Sequence, residues 1–177
     1  MGSSRPLRAD AQRNRDLLLA AAARVFAERG TDAPLDEVAR RAGVGNATMY
    51  RHFPTRSDLL VAVYADEVAQ LCAGAEELRA AGSPREALHE WLRRFMDHLT
   101  TKRDLALAAS HETARHAEWH RSMLGAASGL LEEAQRAGDV RADLDVRDLL
   151  TLVRGITLAA ADRAQAERLL SLVNWRA

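Results

Sequence analysis

Apolar residues recur at three- and four-residue spacing along almost the whole chain, and no segment alternates apolar with polar as a half-buried strand would. With glycine and proline as the only punctuation, that period restricts the chain to an all-α fold. Between Asp10 and Arg29, the residues Leu18, Ala21, Ala22, Val25 and Phe26 form one stripe, and Gly30 supplies a stop. Pro34 at a first-turn position, followed by Asp36 and Glu37 at the positive end of the dipole, starts a second helix of about two turns that ends at Ala42. Gly43-Val44-Gly45 is a turn, and Asn46 to Phe53 is a third short helix closed by Pro54.

Beyond Pro54 the helices lengthen. Thr55 or Ser57 can cap a helix over about residues 56–80, with Leu59, Leu60, Val63, Tyr64, Val68 and Leu71 on its buried side. Gly82-Ser83-Pro84 interrupts it, and an amphipathic helix carrying Leu88, Trp91, Leu92, Phe95, Met96 and Leu99 follows to Thr100. A short helix over 103–109, a long one over 117–137 ending at Gly138, one capped by Asp145 and a last one over 164–173 complete the series. Eight or nine helices are expected, with no strand, repeat or flexible linker.

Composition adds exclusions. No stretch nears the roughly 18 continuous apolar residues of a membrane span, and no secretory leader precedes the first helix. A soluble, cytoplasmic protein with no membrane partner is the expectation. The single cysteine, Cys72, has no intrachain partner and reads as a buried apolar thiol rather than a redox sensor. Zero net charge conceals a split: ten arginines face six acidic residues through Arg56, a surplus of four that the remainder of the chain reverses. A small basic head on an acidic body fits nucleic-acid binding, although a surplus of this size is common elsewhere.

The segment Leu35 to Phe53, LDEVARRAGVGNATMYRHF, carries most of the functional information. Two short helices meeting at a tight turn need small residues where they approach, and Ala39, Gly43, Val44 and Met49 stand at helix-turn-helix spacing, with Val44 and Met49 expected to be buried. At about 100° per residue, Met49 and Phe53 fall on the core side of the third helix. Ala47, Thr48 and Arg51 fall on the outer side, flanked by Tyr50 and His52. Such a face suits the major groove of duplex DNA: Arg51 can donate twice to a guanine edge, Thr48 can meet a base or a phosphate, Tyr50 and His52 can reach phosphates, and small Ala47 permits close approach.

The run AAARVFAERGTDAPLDEVARRAGVGNATMYRHFPTRSDLL resembles the DNA-binding domain of the tetracycline-repressor (TetR/AcrR) family, and its Gly-Val-Gly turn with Arg-His-Phe-Pro-Thr-Arg is similar to an actinobacterial branch. Residues 138–150 look like that family's entry into its eighth helix. The resemblance implies a homodimeric regulator, a repressor by the family's usual mode, that leaves a palindromic operator when a small-molecule effector binds. Under it residues 1–9 are a disordered arm, 10–55 the DNA-binding domain and 56–177 the dimerisation and ligand-binding domain. Asn46, Thr48, Tyr50, Arg51 and His52 would belong to the recognition helix, and Arg56 would hold a phosphate. Gly45, Ala47 and Arg56 depart from the residues many members carry there, and glycine at 45 weakens a helix cap. Arg5 and Arg8 are candidates for a minor-groove arm or for a plain tail, and Arg40 and Arg41 read as a solvated face.

For the effector, the resemblance points to the C-terminal bundle, where Trp91, Phe95, Met96, Trp119 and Met123 can line an apolar pocket; core packing is the favoured reading of each one singly. No cofactor is expected. Glu112, His116 and His120 step by four residues and on one helix would share a face, so a helical metalloprotein or enzyme is the competing reading, with a surface cluster preferred over a metal site. No catalytic triad, phosphate loop or dinucleotide fingerprint supports catalysis.

Overall fold

The computed structural model describes residues 4–101, 103–108 and 113–173, and these form nine helices with no strand among them. In order they are α1 (Ser4–Arg29), α2 (Leu35–Ala42), α3 (Asn46–His52), α4 (Arg56–Ala81), α5 (Pro84–Thr101), α6 (Arg103–Ala108), α7 (Thr113–Arg136), α8 (Val146–Ala159) and α9 (Arg163–Ser171). The all-α expectation holds helix by helix. One difference is at the start: α1 begins at Ser4, inside the stretch expected to be a disordered arm. Pro6 falls in its first turn, where the missing N–H would have had no helical partner in any case.

Two compact units divide the chain, one of residues Met1–Asp66 with Asp104–His111, the other of Glu67–Arg103 with Glu112–Ala177. The division lies within α4, not at its first residue. In the N-terminal unit α1 packs on α2 and α3, and Leu18, Ala22, Val25, Val38, Met49 and Leu59 are sealed from solvent. In the C-terminal unit α5 packs against α7 and α8, and α8 against α9. Trp91 is fully buried there: its indole Nε1 donates to the Leu71 carbonyl at 3.0 Å, and its ring stacks on Phe95 with centroids 5.5 Å apart. Arg79 of α4 lies so close over Gly129 of α7 that a Cβ at 129 would stand 1.8 Å from its Nη2. The same guanidinium meets Glu76 at 2.6 Å and, through its buried Nε, Glu133 at 3.3 Å.

Helix ends follow local chemistry. Gly43, at φ +67°, closes α2 by donating to the Arg40 carbonyl while Val44 donates to that of Ala39, which is the Schellman arrangement. Gly138 ends α7 in the same way. Thr55 and Asp58 cap α4 reciprocally, as Ser83 and Glu86 cap α5, and Asp145 accepts from the Arg147 amide at 2.7 Å to start α8. α2 and α3 lack such a cap: Pro34 before α2 makes no side-chain cap bond, and the N-cap of α3 is Gly45, which has extended geometry and no side chain to offer the orphan amides.

That contrast between two glycines is testable by urea unfolding followed by circular dichroism. Gly45→Ser adds a capping hydroxyl in open space and is expected to stabilise the chain by about 0.5 kcal/mol. Gly43→Ala forces a side chain into a left-handed conformation and is expected to cost about 1 kcal/mol.

Candidate nucleic-acid interface

A helix of seven residues cannot hold itself together in water, so α3 takes its orientation from what it buries. Met49 is wholly inaccessible and Phe53, just past the helix, is 4% exposed. Arg15 of α1 stands over the Phe53 ring at 5.7 Å, a cation–π contact that holds the end of α3 against α1. Val44 in the turn is half-buried rather than buried, because it spans the α2–α3 junction and not the core.

The opposite face is open. Asn46, Ala47, Tyr50 and Arg51 are exposed, with Thr48 and His52 half-buried at its edge. Arg51 Nη2 donates to Thr48 Oγ1 at 3.3 Å, one turn back, which brings the two candidate base-reading side chains together. His52 lies beside Phe53, ring centroids 6.3 Å apart. Asn46 Nδ2 donates to Asp36 Oδ1 of α2 at 3.2 Å, a pairing that nothing in the local sequence pattern announces.

Several arginines of the head are engaged within it. Arg40 grips Glu37 through Nε and Nη2, and Arg41 bridges helices by meeting Glu37 at 2.8 Å and Glu28 of α1 at 2.6 Å. These hydrogen bonds, Arg40 first and Arg41 next, hold the Glu37 carboxyl down to about 2 from its ordinary 4.5. Arg41 remains exposed, as a solvated face requires, and its length lets it span two helices. Arg56 is half-buried and its Nη1 donates to the carbonyls of Thr31 at 2.8 Å and Ala33 at 2.7 Å, so it ties the start of α4 to the turn between α1 and α2. Arg5 and Arg8 belong to the first turns of α1, and their side chains lie outside the described residues.

In the C-terminal unit, Trp91, Phe95 and Met96 on α5 and Trp119 and Met123 on α7 are all buried. Of the proposed metal set, Glu112 lies outside the described residues, His116 sets its ring edge-on to Trp119 at 6.1 Å, and His120 is exposed. Among the described residues no group of three or more His, Cys, Asp or Glu is arranged to hold a metal ion. Cys72 is half-buried, and burial pushes its thiol pKa up, away from the reactive thiolate. No helix of the described residues is long and apolar enough to cross a membrane.

A short helix pinned by one methionine and one phenylalanine, joined to a second by a glycine turn and carrying an exposed polar and basic face, defines a helix-turn-helix transcriptional regulator. Residues 18–63 match the family model of bacterial regulatory proteins of the tetR family, and residues 83–174 that of the C-terminal domain of SbtR-like transcriptional regulators. The chain belongs to the TetR family. It is 35% identical over 100 residues to the HTH-type transcriptional activator FasR of Mycolicibacterium smegmatis, a match covering 55% of this chain and 46% of that one, under half its length. An uncharacterised HTH-type regulator of Mycobacterium tuberculosis is 31% identical over 156 residues, 82% of this chain and 80% of its own. The crystal structure of a TetR regulator from Streptomyces coelicolor superposes with a TM-score of 0.78 at 43% identity, covering 89% of this chain and 94% of that one.

The lowered Glu37 pKa makes a pH prediction. Because the folded value lies below the ordinary one, the stabilisation is complete above about pH 4.5 and is lost as pH falls towards about 2. Amide protection over residues 35–42, taken relative to the intrinsic exchange rate at each pH, is expected to fall through that window in the native chain, and Glu37→Gln is expected to flatten the dependence.

Proposed function

We propose that the chain is a homodimer that places α3 of each protomer in the major groove of a palindromic operator and represses transcription until a small molecule binds its C-terminal unit. The observation that carries this reading is the two-sidedness of α3, with Met49 sealed and Asn46, Ala47, Tyr50 and Arg51 presented together. Arg51 reads a guanine edge, Thr48 a base or phosphate, and Tyr50 and His52 phosphates. Arg56, with Nη1 committed to the two carbonyls, offers its remaining N–H groups to a phosphate. The effector is apolar or aromatic, because the residues assigned to it, Trp91, Phe95, Met96, Trp119 and Met123, are apolar and packed; it must open a space among them. A hundredfold release of DNA by that effector requires about 2.7 kcal/mol of preference for the unbound conformation, a size that allosteric dimers supply. The cytoplasm, where operator DNA lies, is the compartment this activity requires.

Selection of genomic fragments on the purified protein tests the reading directly, and enrichment of a two-fold symmetric sequence is the expected result. On that sequence Arg51→Ala is expected to cost about 1–3 kcal/mol and relax one base position without changing the melting temperature. Arg56→Ala is expected to do the reverse in part: to lower the melting temperature by unpinning the α1–α2 turn, and to weaken all sequences alike.

Leu152 and Leu158 of α8 and Leu172 beyond α9 are 43%, 67% and 77% exposed, an apolar surface on the last two helices that a second copy would cover. Sedimentation at micromolar concentration is expected to give a dimer, and Leu152→Glu with Leu158→Glu a monomer.

A further inference from the structure

An exposed asparagine facing DNA can read a base in two opposite senses, since its amide carries a donor and an acceptor that exchange places on a half-turn of the side chain. In this head the exchange is blocked. Asn46 Nδ2 donates to Asp36 Oδ1 at 3.2 Å, and an aspartate at neutral pH is an acceptor only. Turning the amide over would bring Asn46 Oδ1 against that carboxylate, two acceptors in contact. The neighbouring acid does not compete for the role, because Glu37 is taken up by Arg40 and Arg41.

We infer that Asp36 is a specificity-determining positioning residue: by holding the Asn46 amide with Oδ1 towards the groove, it makes residue 46 an acceptor that selects an exocyclic amino group, adenine N6 or cytosine N4, at one base of each half-site. This rests on the reading of α3 as the DNA-facing helix. In the major groove the edge of each base is distinct: adenine and cytosine present an amino donor, guanine and thymine a keto acceptor. An oriented acceptor therefore divides the four bases two against two. Without Asp36 the amide turns freely and accepts from one pair or donates to the other, so the division fades while Asn46 itself remains. Asp36 touches no base in this scheme. Its effect passes through Asn46 alone, which separates it from Arg51, whose partner is a different base.

Selection from randomised duplex DNA by the full-length protein, read as base ratios at each position, tests this with four variants: Asn46→Ala, Asp36→Asn, Asp36→Ala and, for reference, Arg51→Ala. Ratios are compared rather than affinities, because removing a negative charge near phosphates strengthens binding to every sequence alike. The expected result is one position per half-site where the native protein prefers adenine or cytosine about tenfold over guanine or thymine. Asn46→Ala abolishes that preference, both Asp36 variants reduce it to about threefold or less, and Arg51→Ala leaves it in place. The Asp36→Asn variant keeps the side-chain shape, so its agreement with Asp36→Ala excludes a folding effect. The inference is overturned if the Asp36 variants keep the native ratio, if the Asn46-dependent position prefers a keto base, or if Asn46→Ala alters no position while Arg51→Ala does. If the native protein enriches no sequence at all, the DNA-binding reading itself fails and takes the inference with it.

Discussion

The head depends on the burial of Met49 and Phe53. Seven residues give α3 too few internal hydrogen bonds to offset the cost of nucleating a helix, and its N-cap glycine contributes none from a side chain. What fixes the helix is therefore tertiary: a methionine filling the space beside α1 and α2, and a phenylalanine at its end under the Arg15 guanidinium. Everything on the outer face inherits its direction from those two side chains. A loss of packing there would scatter Arg51, Thr48 and Asn46 together, whatever their own chemistry.

The arginines show how a basic head need not be a uniformly basic surface. Arg41 joins α2 to α1 through Glu28, Arg56 joins α4 to the turn between α1 and α2, and Arg15 serves Phe53. Each uses the long stem and fixed fork of the side chain to reach carbonyls, carboxylates or a ring that a lysine would meet less completely. Arg51 differs from these three: it is exposed on the outer face, where its guanidinium donates to the hydroxyl of Thr48 one turn back. Counting charge gives the sign of the head and overstates how much of it faces outward.

The helices were legible because their period is local. Leu18 to Phe26, Pro34, Gly43, Pro54 and Gly138 each declare an element or its end within four residues, and the family resemblance of the run from Ala21 to Leu60 located the recognition helix on the same evidence. What stayed hidden is non-local. Glu28 and Arg41 are separated by thirteen residues, Arg56 and Thr31 by twenty-five, and Asp36 and Asn46 by ten, and no periodicity connects them. The Ser83-x-x-Glu86 capping box, by contrast, stood in the sequence as a readable motif behind the more obvious Gly-Ser-Pro break. Arg40 and Arg41 look alike in sequence; their roles separate only because α1 passes beside one of them.

Gly129 has a meaning for how freely α7 can change. With the Arg79 guanidinium occupying the place a Cβ would take, position 129 accepts a side chain only by evicting that cation from between Glu76 and Glu133. One helical turn earlier, Gly125 opens on space with no atom within 4 Å of a Cβ. The two glycines thus differ in tolerance: natural drift, a spectroscopic label or an engineered cysteine enters freely at 125, while at 129 a side chain enters once the flexible end of Arg79 swings aside from Glu76 and Glu133.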